Sequence, residues 1–277
     1  MSPNPRLSVL LLLLAGAALL LPGCQTVTSA GRSVASLFHR PAPPPPPPPS
    51  AAELTATGLD ALRRRDWTAA LAALMPAAKQ GDKRAQVALG SMYFTGLGVE
   101  RDFADAAHWL TPAAGQGDPV AQYLLGRISD LGGTGVLQDR AAAAHWYELA
   151  AGQGHAQAQY QLGLLYLDGS GVTEDPAVAM SWFQRAAASG NAAAMTAIGM
   201  DYAEGRSVAP DDRLAIDWFR RGAAGGDPDA MRRLGEAYYQ GQGVPQSRTL
   251  AREWLQRAAA AGNEQAAQRL AMPELPE

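Results

Sequence analysis

His108 and His145 each stand directly before a tryptophan, 37 residues apart, and histidine is the commonest metal ligand in proteins. One zinc ion needs both nitrogens at roughly 2 Å. The two residues occupy the same place in successive copies of one pattern, and like places on stacked helices lie about 10 Å apart. They cannot share a metal. His155 falls in a turn between copies and His39 in an N-terminal tether. Gly96-Leu97-Gly98, Gly169-Ser170-Gly171 and Gly241-Gln242-Gly243 look at first like phosphate loops. A dinucleotide loop follows a strand and has a third glycine at a fixed offset, whereas helical patterns precede these three. Cys24 is the sole cysteine, so it forms no intramolecular disulfide. No Ser-His-Asp set stands out locally. These residues point to no catalytic group, no metal and no cofactor.

The elements that carry them repeat. Trp109, Trp146, Trp182, Trp218 and Trp254 are spaced by 37, 36, 36 and 36 residues. Gly90, Gly126, Gly163, Gly199 and Gly235 keep the same beat, as do Gly81, Gly117, Gly154, Gly190, Gly226 and Gly262. A fixed period of this length signals a helical solenoid, in which no unit buries its apolar face alone.

The third copy shows the logic. Ala158, Leu162 and Tyr166 fall at i, i+4 and i+8 and make one apolar stripe of a helix. Gly163 costs that helix about 1 kcal/mol relative to alanine, and its return in every copy implies a neighbour packed too close for a Cβ. Gly169-Ser170-Gly171-Val172 stops the helix. Asp175-Pro176 then reads as N-cap and first position of a second helix that carries Ala179, Trp182, Phe183, Ala186 and Ala187. The regular tryptophans are expected in the core between helices.

The Leu-Gly-x-x-Tyr of the first helix, the Gly-x-Gly-Val turn and the Trp-Phe with Ala-Ala of the second resemble the Sel-one-like repeat, a relative of the tetratricopeptide repeat. The resemblance covers residues 51–272, with repeats at about 83–118, 119–155, 156–191, 192–227 and 228–263, and half-repeat caps. It implies an all-α superhelix of stacked helix-turn-helix units. Locally the chain departs from the pattern. Ser129 replaces a tyrosine, Gly132-Gly133 adds the residue behind the 37 spacing, and Ser207 replaces a turn glycine. Some members of the family are described as hydrolysing β-lactams. That chemistry needs a Ser-x-x-Lys element with its partners, which this chain lacks.

In the tetratricopeptide relative the first helix lines the concave face. Carried over by position, that geometry selects Val87, Ser91 and Phe94, then Tyr123, Arg127 and Asp130, then Tyr160, Leu164 and Leu167. The fourth repeat contributes Thr196, Met200 and Ala203, and the last Arg232, Glu236 and Tyr239. Each trio lies at i, i+4 and i+7, one face of a helix. The middle of the row is apolar and is flanked by the charged residues of the second and last trios, the composition of a protein-binding patch.

The N-terminus has its own organisation. Residues 7–21 form an apolar run behind Arg6, too short for a membrane span and suited to a signal peptide. The run ends in Leu21-Pro22-Gly23-Cys24, which resembles the bacterial lipobox, although Pro22 departs from the usual small residue. The resemblance implies residues 1–23 as signal peptide and Cys24 as the lipidated new N-terminus. Gln25 is not the aspartate that retains lipoproteins at the inner membrane, which points to the periplasmic face of the outer membrane. Inner-membrane and soluble periplasmic placements are the alternatives. Residues 24–50 then form a tether, with seven prolines at 43–49 expected as a polyproline rod of about 22 Å, at roughly 3.1 Å per residue. Residues 273–277 are a tail.

Formal net charge is −3. Loss of residues 1–23 removes one arginine and no acid, giving −4, a poor balance for nucleic acid. The sequence thus describes a membrane-anchored, non-enzymatic scaffold that binds protein through a concave face. The alternative is a lipoprotein serving an envelope polysaccharide.

Overall fold

The computed structural model describes residues 47–133 and 135–272. Residues 1–46, with the expected signal peptide, Cys24 and the first four prolines of the run, lie outside the described residues, as do residues 273–277. The chain divides into Met1–Pro48 and Pro49–Glu277, and the second unit carries every described helix. Residues 47–50 are exposed, without helix or strand.

Thirteen α-helices and no β-strand make up the described residues. They are α1 (Ala51–Arg63), α2 (Trp67–Lys79), α3 (Lys83–Thr95), α4 (Phe103–Gly115), α5 (Pro119–Leu131), α6 (Arg140–Gly152) and α7 (Ala156–Asp168). There follow α8 (Pro176–Ala188), α9 (Ala192–Glu204), α10 (Asp212–Ala224), α11 (Pro228–Gln240), α12 (Arg248–Ala260) and α13 (Glu264–Leu270). Each of α1 to α12 has 13 residues, about 20 Å at 1.5 Å per residue. The starts are written in the sequence. Asp175 accepts from the Val178 amide and caps α8, with Pro176 as its first residue. Asp82, Asp118 and Asp227 do the same for α3, α5 and α11. A left-handed glycine, Gly169 at φ 65°, ends α7, a conformation that costs a residue with a Cβ. In the second repeat Gly133 and Val136 pair as an isolated bridge within the longer turn.

Odd- and even-numbered helices pair within each repeat, and each second helix packs on the next first helix. First helices of successive repeats also approach one another, α1 with α3, α3 with α5 and α9 with α11, and successive second helices do so less. The first helices therefore line the tighter, inner curve. Among them α7 makes no comparable approach to α5 or α9. The N-terminal cap is a complete helix pair, α1 with α2, rather than a half-repeat; at the C-terminal end the single helix α13 closes on α12.

The core is a row of small clusters dominated by alanine and leucine. The repeated glycine sits where α7 meets α8: a Cβ on Gly163 would lie 2.5 Å from Phe183 Cε1. The residue after each tryptophan, not the tryptophan, makes this contact. Leu110, Tyr147, Phe183, Phe219 and Leu255 are buried, whereas all five repeat tryptophans are half-buried. That corrects the expectation of core tryptophans. Each packs against the cluster at the junction of its own repeat with the preceding one, Trp182 on the cluster of Tyr147 and Leu162, Trp218 on that of Phe183 and Ile198. Arg185, Arg221 and Arg257 cover Trp182, Trp218 and Trp254 at 4.5, 4.5 and 4.8 Å.

A polar seam joins the first three repeats. Gln86, Gln122 and Gln159, each fourth in its helix, donate to the carbonyls of Ala78, Ala114 and Ala151 at 3.3, 3.2 and 3.1 Å. Gln116 and Gln153 donate in turn to the side-chain oxygens of Gln86 and Gln122, at 3.4 and 2.7 Å. Ser189 holds the equivalent place in the third repeat, and the buried Oε1 of Gln159 has no hydrogen-bond partner among the described residues. From the fourth repeat the seam is apolar: Met195 and Met231 replace the glutamines and pack on the core.

Candidate functional site

The residues selected for the inner face divide into three groups in space. In the middle, Tyr160, Leu164 and Leu167 of α7 face Thr196 and Met200 of α9 across one cleft of about 190 Å³. The weaker approach of α7 to α9 accompanies this open space. Met180 and Phe183 of α8 form its inner wall, Ala193 and Ala197 its α9 wall, and Pro176 one margin. The Tyr160 ring leans on Phe183 with centroids 5.9 Å apart, so the cleft wall is continuous with the core.

Asp201, Arg206, Asp227 and Asp229 complete the lining. Asp227 caps α11 and accepts from the Thr196 hydroxyl and, at 3.1 Å, from the Ala230 amide. Asp201 is 7% exposed and accepts from the Ser207 amide at 3.0 Å and from its hydroxyl. Arg206 reaches Glu204 at 2.6 Å. Burial raises the pKa of the Tyr160 hydroxyl, and the charges of Asp227 and Asp229 raise it further, so this hydroxyl stays protonated and can donate.

The N-terminal trios are split. Val87 and Ser91 line a shallower, wider groove with Leu59, Leu62, Trp67 and Val120. Phe94 instead stacks on Phe103 at 5.4 Å. Tyr123 stacks on His155 at 4.7 Å and its hydroxyl accepts from Arg127 at 3.1 Å. Asp130 pairs with Arg140 at 3.7 Å. Burial works to lower the Arg127 pKa, but the Tyr123 hydroxyl and nearby charges outweigh it and hold it above the ordinary value.

The C-terminal trio is closed on itself. Arg232 is 8% exposed and lies between Asp229 at 2.7 Å and Glu236 at 2.5 Å. Burial opposes its charge, but those two carboxylates hold its pKa above the ordinary arginine value. It is a buried ion pair, not the free rim charge the helical wheel implies. Arg269 covers the Tyr239 ring at 4.4 Å. Ala203 lines a separate polar hollow with Arg233 and Glu236.

Among the described residues, no group of three or more histidine, cysteine, aspartate or glutamate side chains is placed to hold a metal ion. Nor is any helix among them long and apolar enough to cross a membrane.

Stacked helix pairs with an inner row of first helices define a repeat solenoid. The chain belongs to the Sel1 repeat family, whose profile matches residues 83–118, 119–155, 156–191, 192–227 and 228–263. This fold is commonly used for protein–protein interaction, and proteins built from it are generally non-catalytic scaffolds. A Sel1 repeat protein from Oxalobacter formigenes is 31% identical, with a TM-score of 0.72 over 81% of this chain and 92% of that one. A protective antigen of uropathogenic Escherichia coli with the same fold is 33% identical, with a TM-score of 0.70 over 82% of this chain. The match spans about half of that antigen, 51% of its chain. An immunity protein, Pa5087 from Pseudomonas aeruginosa, shares the fold at 19% identity, with a TM-score of 0.51 over 83% of this chain and 88% of that one. Among curated proteins no match was found.

Proposed function

We propose that this chain is a lipid-anchored scaffold of the bacterial envelope that holds a partner protein on the inner face of its solenoid. The observation that carries the reading is the central cleft. Five of the residues selected by carrying over the concave-face geometry of the tetratricopeptide relative, on two different helices, converge on it. An apolar centre with a polar margin suits a protein partner. The apolar leader and the Leu-Pro-Gly-Cys motif at Cys24 support anchoring, because acyl chains on one cysteine anchor a protein without a membrane-spanning helix. Gln25 favours the outer membrane, facing the periplasm. An envelope polysaccharide would need open aromatic faces, and arginines lie over three of the five repeat indoles.

The test is crosslinking in intact cells followed by mass spectrometry, with wild type and Tyr160→Ala/Leu164→Ala side by side. Loss of the crosslinked partner with helicity unchanged supports the reading. Equal recovery by both places binding elsewhere. Replacing Cys24 with serine should release the chain from membranes or leave it unprocessed.

A further inference from the structure

The central cleft is small and its margin carries uncompensated charge. A cavity of roughly 150 Å³ lined by leucine, isoleucine and phenylalanine takes up a benzene ring. The cleft, at about 190 Å³, has room for one bulky side chain and not for a packed helix face. Leu164, Leu167, Met180, Phe183 and Met200 make that space apolar.

The surrounding charges do not cancel. Arg206 is satisfied by Glu204 at 2.6 Å, and Arg232 sits between Asp229 and Glu236, with Arg233 3.9 Å from Asp229. Asp201 and Asp227 have no cation within salt-bridge distance among the described residues. The five acids Asp201, Glu204, Asp227, Asp229 and Glu236 against the three cations Arg206, Arg232 and Arg233 leave −2. Asp227 is only half-buried, so a partner cation can reach it. Beside a low-dielectric apolar wall such a charge acts more strongly than in open water.

We propose that the cleft takes up a single phenylalanine- or leucine-sized side chain of a partner protein, presented on a segment with lysine or arginine beside that anchor. The inference rests on the inner face being the protein-binding face. A helix-length apolar stripe would not fit the space, and an acidic segment would meet like charge at Asp227.

A random dodecapeptide library displayed on phage and selected on the purified chain tests it. Wild type should enrich sequences that pair phenylalanine or leucine with a neighbouring lysine or arginine. Ala197→Phe fills the cleft and should weaken a selected peptide by about tenfold or more, as loss of a central anchor does. Asp227→Asn keeps an equally good N-cap and removes only the charge. It should weaken the same peptide about fivefold, with the difference vanishing at about 0.5 M salt. Ala193→Phe repeats the filling test should Ala197→Phe unfold. Enrichment of acidic or anchor-free sequences that still lose affinity on filling would overturn the proposed occupant and leave the binding face standing. Peptides that bind the filled variants as well as wild type would overturn both. So would a selection that enriches no sequence.

Discussion

Phe183 lies against the bare backbone of Gly163, so close that a Cβ there would sit 2.5 Å from its Cε1. The same contact joins Gly126 to Tyr147 and Gly90 to Leu110. The recurring glycine is thus a spacing device between the two helices of a repeat. Its loss of helix propensity, about 1 kcal/mol relative to alanine, is the cost of bringing the backbones together.

Gly163→Ala should therefore destabilise the protein by about 1–3 kcal/mol, the usual cost of overpacking a tight core. Gly152 ends α6 with no heavy atom within 4 Å of where its Cβ would go. Gly152→Ala should gain up to about 1 kcal/mol from propensity alone. Thermal melts of the two variants decide the matter. A raised midpoint for both would mean that the ring moves aside freely.

Phe183 and Trp182 are neighbours with different burdens. Phe183→Ala should cost about 3–5 kcal/mol, as fully buried aromatics do. Half-buried Trp182 should cost about 1–2 kcal/mol for its lost apolar contact. Its Arg185 stacking adds about 0.5–1 kcal/mol at most. Denaturant unfolding of both variants measures the order, and an equal loss for Trp182→Ala would restore the tryptophan to the core.

The amide seam makes a prediction of gain. The Oε1 of Gln159 is buried without a donor, and Ser189 is too short to act as Gln116 and Gln153 do. Ser189→Gln should supply that donor and stabilise by about 0.5–1.5 kcal/mol, the net worth of one hydrogen bond. A denaturation midpoint that does not rise would show that solvent already serves the oxygen.

His155 caps α7 by accepting from the Ala158 amide on Nδ1 at 3.2 Å, where Asp118 and Asp227 cap α5 and α11. Only neutral imidazole can accept there, and a cation at a helix N-terminus is unfavourable. Burial lowers its pKa below the ordinary 6.5, and the Asp118 charge partly offsets this. The remaining close neighbour, Tyr123, stacks on the ring at 4.7 Å. For a depressed histidine the unfolded chain binds the proton first, so stability rises with pH across that window. The contribution is complete above 6.5 and is lost as pH falls through the lower folded value. His155→Asn keeps a cap and cannot titrate. The stability difference between wild type and variant should shift against wild type on acidification from about pH 8 to 5. A difference independent of pH would remove His155 from the acid response.

Much of this architecture is legible because its signals are local. A 36-residue period, aspartates before prolines and glycines after polar stretches mark helix ends without reference to distant residues. Tyr160, Leu164 and Leu167 could be grouped because i, i+4 and i+7 share a face. Asp227, Pro176 and Met180 could not, since they reach the cleft from other helices. Periodicity also could not choose between Trp182 and Phe183, because adjacent residues repeat with the same beat. Arg232 is a different case: acids at i−3 and i+4, Asp229 and Glu236, stand in its own helix and foretell its capture.

The change from glutamine to methionine along the seam gives the array a direction that its repeating sequence conceals. Copies of one unit invite duplication, deletion and shuffling, since every join offers the same helix ends. Here a unit carrying Met195 or Met231, moved into the first half, would lose the bond that Gln122 and Gln159 make to the Ala114 and Ala151 carbonyls of the unit before. A glutamine unit moved into the second half would take its own pair with it, because Gln116 and Gln86, like Gln153 and Gln122, belong to one unit. The penalty for shuffling is therefore one-sided, falling on methionine units placed among glutamine units. Packing thereby favours the glutamine units at the N-terminal end, ahead of the cleft between α7 and α9.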